Sequence, residues 1–145
     1  MASQEGINQD QTVEPGIDQK LRTRNIAETL ASLEQCSSLY NAVRQADAEY
    51  LLRRSGLHTL LAPQNSALND VPADAVEEFL MQHLLPGGIE SFDLRRCQTV
   101  KTAAGKTLNV TPADGSFRIG QAKIVRSDIP CTNGVIQIID GVLTS

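Results

Sequence analysis

The stretch Asn133-Gly134-Val135-Ile136-Gln137-Ile138-Ile139-Asp140-Gly141-Val142-Leu143 decides how the chain is read. Asn and Gly both tolerate the positive φ angles of a tight primed turn, so Asn133-Gly134 predicts a hairpin turn. After it, Gln137 and Asp140 interrupt a run that is otherwise apolar, the pattern of a strand covered on both faces. Such a strand has to lie inside a sheet, and the rest of the chain has to supply the surface that covers it.

Working outward, composition limits what can do so. A chain of 145 residues fits one domain of ordinary size. Apolar residues make up 41%, but aromatic residues only 3% with no Trp, so the core must be built from Leu, Ile, Val and Ala. Acidic residues outnumber basic ones by 17 to 13, a net charge of −4, and the longest basic runs are the pairs Arg53-Arg54 and Arg95-Arg96. That balance speaks against a nucleic-acid partner held by phosphate neutralisation. The three cysteines, Cys36, Cys97 and Cys131, contain no CxxC and form no disulfide framework. They read as free or buried thiols, with a Cys36–Cys97 bridge left open. His58 and His83 are the only histidines, which argues against a His-rich metal site, and neither metal nor cofactor is expected. No stretch approaches the roughly 20 apolar residues that span a bilayer. No basic-then-apolar signal segment opens the chain, so membrane association would require segments beyond it.

Residues 1–24 are polar, broken by Gly6, Pro15 and Gly16, and read as a flexible lead to a domain over 25–145. Asn25 with Glu28 three residues later predicts a capping box, followed by a helix with Ile26, Leu30 and Leu33 on one side. Ser37 or Ser38 is expected to cap a second helix, and a third short helix carries Ala48, Leu51 and Leu52 up to Gly56. Leu57 to Ala62 predicts a strand stopped by Pro63. Asn65 to Leu68 reads as one helical turn, and Pro72 opens a helix capped by Asp70, with Val76, Phe79 and Leu80 inward. Pro86-Gly87-Gly88 breaks the chain after Leu84-Leu85, and Ser91 or Asp93 starts a further short helix. From Cys97 the period becomes two, with turns at Ala104-Gly105, Asp114-Gly115 and Gly120. Helices first and short strands after indicate an α+β domain: short helices packed against a β-rich core whose C-terminal strand is central.

Three stretches in this order resemble the fasciclin-type, or FAS1, domain. They are Thr59-Leu60-Leu61-Ala62-Pro63-Gln64-Asn65-Ser66-Ala67-Leu68, then His83-Leu84-Leu85-Pro86-Gly87, then Asp128-Ile129 through Asn133-Gly134 to Leu143. Gly105-Lys106-Thr107-Leu108-Asn109-Val110 falls where the family has a Gly-x-x-Leu-x-Val hairpin. Gln64, Leu68, Gln82 and Gln137 stand where Thr, Phe, Tyr and His are usual. The resemblance implies a fasciclin-like fold and a noncatalytic adhesion or matrix-binding module, extracellular, periplasmic or on a cell surface. Its partner would be a protein or glycan, or a second copy of the chain. The matching positions His83, Leu84, Leu85, Asp128 and Ile129 are then the candidate partner-binding residues, with Leu51-Leu52 as a further candidate face. Pro63, Asn65, Asn133, Gly134 and Asp140 are the structural ones.

The alternative is a small-molecule or lipid-binding protein with an apolar groove between the helices and the β-rich half. Catalysis has little to stand on. Ser66, His83 and Asp128 could be assembled into a triad on paper, but there is no Gly-x-Ser-x-Gly elbow. Gly105-Lys106 lacks the Gly-rich nest of a phosphate loop. Cys131 reads as a packed thiol. Asp140, set among Ile and Val, is expected to anchor a turn.

Overall fold

The computed structural model describes residues 24–68, 71–113 and 115–143. The expected lead over 1–24 lies outside them except for Arg24, whose carbonyl accepts a hydrogen bond from Thr132 N–H at 2.8 Å. The expected cap Asp70 and the first half of the Asp114-Gly115 turn also lie outside them.

The helices are α1 (Ile26–Ala31), α2 (Ser37–Gln45), α3 (Val76–His83) and α4 (Ser91–Leu94). The strands are β1 (His58–Pro63), β2 (Leu84–Pro86), β3 (Thr99–Lys101), β4 (Thr107–Ala113), β5 (Ser116–Ile119), β6 (Ala122–Cys131) and β7 (Gly134–Ile139). Among the described residues these seven strands form one sheet in the order β2-β1-β7-β6-β5-β4-β3. Its ends approach each other. Ala103 N–H donates to Leu84 O at 2.7 Å and Ala104 N–H to Met81 O at 3.0 Å, so the sheet curls almost into a barrel. Closure of this kind leaves little edge for another chain to extend.

Strand β7 sits inside the sheet, parallel to β1 and antiparallel to β6, with all six residues buried. Side chains alternate between the faces of a strand, and two apolar clusters divide along that alternation. Leu60, Ala62, Leu84, Ile136 and Ile138 face α1, α2 and α3, meeting Ile26, Leu30, Leu39 and Leu80. Leu61, Leu85 and Ile139 join Leu94, Leu108, Phe117 and Ile119 in the space the strands enclose. The apolar run after Gly134 is therefore explained by two cores sharing one strand.

Several local expectations change. The register pairs Cys131 with Gly134, so Thr132 and Asn133 occupy the turn and Gly134 is already in β7. Among the two residues of the expected turn, only Gly134 has positive φ, +146°. Its glycine is needed because a Cβ there would stand 1.7 Å from His58 O, where β1 and β7 approach. Asn133 serves through its side chain. Oδ1 accepts from Ile26 N–H at 2.8 Å, while Nδ2 donates to Leu52 O and Arg54 O, each at 3.0 Å. One buried amide thus joins the start of α1, the segment before β1 and the β6–β7 turn.

Pro63 does not stop β1 from outside. It is the last residue of the strand, buried and in register with Ile139, at an end position where a missing N–H is tolerated. The capping box forms as expected, with Asn25 Oδ1 accepting from Glu28 N–H at 2.8 Å and Glu28 Oε1 from Asn25 N–H at 2.9 Å. For α2 the cap comes from elsewhere: Asn65 Oδ1 accepts from Ser38 N–H at 2.9 Å, and Asn65 Nδ2 donates to Glu34 O at 2.9 Å. The expected third helix is a single 3₁₀ turn over Glu49–Leu52.

Candidate functional site

His83 closes α3 and its ring is completely buried. Nδ1 lies 2.8 Å from Phe79 O, and Leu143 N–H donates to Nε2 at 2.9 Å. A carbonyl can only accept and an amide N–H can only donate, so the neutral tautomer carries its proton on Nδ1. The ring also stacks on Phe79 with centroids 4.2 Å apart. Desolvation by burial pushes its pKa down to about 4, against a smaller upward pull from the Phe79 carbonyl. Leu84 and Leu85 are each 1% exposed, one in each core. These three side chains, named as candidate partner contacts, are buried, because α3 leads straight into β2 and both faces of β2 are covered. Leu51 and Leu52 are buried for the same kind of reason.

Asp128 and Ile129 part company. Ile129 is buried against the helices, whereas Asp128 is exposed at a bulge in β6 with φ +63°. Its oxygens reach a distant segment. Ser91 N–H donates to Oδ1 at 2.7 Å and Ser91 Oγ–H to Oδ2 at 2.6 Å. Gln137, fully buried in β7, donates through Nε2 to Asp128 Oδ1 at 2.9 Å and accepts from Asp128 N–H at 2.9 Å. Gln137 Nε2 also donates to Ile89 O at 3.3 Å. Desolvation alone would raise the Asp128 pKa, but the hydrogen bonds from Ser91 and Gln137 outweigh it and hold the carboxyl below its ordinary value. Gln137 thus supplies both a donor and an acceptor at one buried point.

The loop from Pro86 to Ser91 is thereby held at several places. Gly87 N–H donates to Leu57 O at 2.8 Å, Thr59 Oγ–H to Gly87 O at 2.7 Å, and Ile89 N–H to Thr59 Oγ1 at 2.8 Å. Leu57 and Phe92 flank this loop, 59% and 67% exposed. Leu57 lies beside Gly88, and Arg96 stands over the Phe92 ring at 5.5 Å. Sequence reasoning missed this pair. A signal existed for Phe92: the helix α4 has only four residues and can bury one side, which Leu94 takes. Leu57, Pro86, Phe92 and Asp128 are exposed around a loop held by backbone and side-chain hydrogen bonds.

The other singled-out residues are engaged separately. Ser66 is exposed in the 3₁₀ turn Asn65–Ala67, far in role from His83, whose ring nitrogens meet Phe79 and Leu143, and from Asp128, which meets Ser91 and Gln137. All three thiols are free; Cys36 and Cys131 are buried, and burial pushes Cys36 up to about 11 and Cys131 upward. Asp140 is exposed rather than buried. Its Oδ1 accepts from Lys123 N–H at 2.7 Å and its own N–H donates to Lys123 O at 3.0 Å, tying the chain after β7 to β6. No group of three His, Cys, Asp or Glu side chains able to hold a metal ion occurs among the described residues. Between helices and sheet, the region named for an apolar ligand groove in the alternative reading, Leu30, Leu39, Leu80, Ile136 and Ile138 are buried in one cluster. Among the described residues no helix is long and apolar enough to cross a membrane.

Comparison with known proteins adds three kinds of likeness. The profile of the fasciclin domain matches residues 34–145. Protein sll1483 of Synechocystis sp. is 32% identical over 130 residues, covering 81% of this chain and 72% of that protein. The transforming growth factor-beta-induced protein ig-h3 of Sus scrofa is 30% identical over 132 residues, where this chain spans 83% of itself but only 19% of the relative. Among solved structures, a FAS1 domain pair from the insect cell adhesion molecule fasciclin I superposes with a TM-score of 0.71 at 18% identity, covering 86% of this chain and 52% of that one.

Proposed function

The chain belongs to the fasciclin domain family, and from that premise we propose that it is a noncatalytic adhesion or matrix-binding module whose contact surface is the stapled loop between Leu57 and Phe92. The observation that carries this is the exposure of two large apolar side chains, Leu57 and Phe92, on either side of a loop held by Asp128, Gln137 and Thr59. Aromatic and aliphatic anchors on a rigid, polar-rimmed support are what protein interfaces use for most of their binding energy, and a preorganised loop loses little conformational entropy on binding. The partner is a protein or glycan at a cell surface or in a matrix, with a second copy of the chain included. The place of action is extracellular, periplasmic or cell-surface, in keeping with the cell adhesion molecule that shares the fold.

Asp128 keeps its place in this surface as the charged rim. His83, Leu84, Leu85 and Ile129 act beneath it, by holding α3, β2 and β6 in position. The test is adhesion of beads coated with the domain to cell-surface and matrix preparations and to one another. Loss of adhesion in Leu57→Ser and Phe92→Ser, with melting unchanged, is the expected result. Undiminished adhesion in the double variant would place the contact elsewhere, and absence of adhesion by the folded wild-type domain would remove the proposal.

A further inference from the structure

Charge is divided between the two halves of this chain in a way the net value conceals. Residues 95–145 carry seven Lys and Arg against three Asp and Glu, a net charge of +4, whereas residues 1–94 carry six against fourteen, a net charge of −8. In the positive half the register collects cations on one face. Lys101 pairs with Thr107 and Thr99 with Asn109 across β3 and β4; Thr111 pairs with Arg118 across β4 and β5; Arg118 pairs with Lys123 across β5 and β6. Residues paired in register point to the same side of a sheet, and this side is opposite to the buried Val100, Leu108, Phe117 and Ile119. Lys101, Arg118 and the Thr and Asn between them are exposed, and Lys123 is half-buried. There is no Asp or Glu in β3 or β5, nor among the residues of β4. From the strand spacing and rise, the diagonal from Lys101 to Lys123 is roughly 20 Å long.

Beside this diagonal lies a groove of about 400 Å³, lined by Lys106, Thr107, Asn109 and Gln121 together with Leu108 and Leu143. It shares Thr107 and Asn109 with the outer face, so a polymer lying along the face would pass its mouth. Ammonium, hydroxyl and amide groups line both.

We infer that this outer face and its groove bind an acidic polysaccharide, a chain of sugars carrying carboxylate or sulfate groups. The cations are few and widely set, with hydroxyl and amide groups between them, which matches spaced anionic groups separated by sugar hydroxyls. A nucleic acid matches less well. It carries a charge every ~1.7 Å along the duplex, the face offers no ring on which a base could stack, and the other half of the domain is strongly acidic. A protein partner would find on these strands one exposed large aliphatic side chain, Val125 at 45%, and no exposed aromatic anchor beside it. The inference rests on reading the chain as a surface-binding module, and it names a second surface, distinct in residues from Leu57 and Phe92.

The experiment is titration calorimetry of the full chain with polygalacturonate, with heparin, with neutral dextran and with duplex DNA at matched charge concentration. Binding of either acidic polysaccharide that weakens as salt is raised, with no binding to dextran and weaker binding to DNA, is expected, and the tighter polymer identifies the acid group. The combined variant Lys101→Gln, Arg118→Gln and Lys123→Gln should lose at least about tenfold in affinity through lost ion contacts while melting as the wild type does. Leu57→Ser with Phe92→Ser should leave polysaccharide binding intact, which separates this surface from the adhesion loop. An unchanged affinity in the triple variant, equal binding of dextran, tighter binding of DNA, or no binding of either acidic polymer at low salt would each overturn the inference.

Discussion

The imidazole of His83 accepts a hydrogen bond from the backbone N–H of Leu143 at 2.9 Å, across 60 positions of sequence, inside the protein. The end of α3 and the segment after β7 are joined by a ring that must be neutral to accept.

A pH dependence is expected from this bond. The folded pKa of His83, about 4, lies below the ordinary value of 6.5. The unfolded chain therefore takes up the proton first, and stability is complete above pH 6.5 and falls as the pH drops toward 4. Linkage over that interval amounts to about 3 kcal/mol. His83→Gln can keep an acceptor for Leu143 but does not titrate. The difference between wild-type and variant unfolding free energies from urea titrations, followed from pH 7 to pH 4, should shift by that amount as the wild type weakens. A constant difference across the range would show that the ring is not held neutral.

Gly134→Ala should be among the most damaging single changes available. The added methyl would meet His58 O where β1 and β7 run side by side, and both neighbours of the contact are backbone. A loss of more than about 3 kcal/mol is expected, read as a collapse of thermal stability or of folded yield. Gly105→Ala, which meets no atom within 4 Å but also has positive φ, is the comparison that isolates the clash from the strain.

Asn133→Ala removes one acceptor and two donors from a buried junction. Ile26 N–H, Leu52 O and Arg54 O are left without the amide that joins them. Unsatisfied buried groups of this kind are costly, and the expected loss is about 2–4 kcal/mol. Asn133→Asp retains the acceptor alone and should fall between, as measured by chemical denaturation.

For Asp128, removal of the side chain also removes the ties to Ser91 and Gln137. Asp128→Ala is expected to cost about 1–2 kcal/mol, partly from lost hydrogen bonds and partly because Ala tolerates positive φ less well than Asp. Asp128→Asn keeps the backbone preference and should cost less. Because its folded pKa is lowered, the contribution of Asp128 is present above the ordinary carboxyl range and is lost as pH falls through the folded value. The variant Asp128→Asn should therefore lack that acid-side component. Hydrogen exchange at Ser91 N–H, faster in Asp128→Ala, reads the loop directly.

Asp140→Ala should be milder than its place among Ile and Val suggests. The carboxylate is exposed and accepts one backbone N–H from Lys123, so a loss of about 1 kcal/mol is expected in thermal unfolding.

Much of the fold is legible in the sequence because it rests on local regularities. The change from helical to alternating period near Cys97, the Asn25–Glu28 capping box and the apolar run from Val135 to Ile139 each depend on residues a few positions apart. A strand covered on both faces is written into the run itself, since no residue after Gly134 except Gln137 offers polar surface until Asp140. The order of the three matching stretches carried the family for the same reason: it is information along the chain.

Only tertiary structure decided which residues face the outside. Leu84, Leu85 and Ile129 are as apolar as Leu57 and Phe92, and the difference is that Leu84 and Leu85 lie on a strand covered on both sides and Ile129 turns in against the helices, while Leu57 and Phe92 flank a loop. The purposes of Asn65, Asn133 and Gln137 were likewise hidden. Each bonds groups remote in sequence, and an amide gives no sign in one dimension of the partner it will meet. The same holds for the cations of β3, β5 and β6. They are scattered along a chain of net negative charge and become neighbours only when strand register aligns them. Sequence by itself determined the periods, the Asn25–Glu28 capping box and the central strand, because these follow from neighbours in the chain. The sheet's closure and pairing decided the surfaces, because exposure depends on what every other segment leaves uncovered.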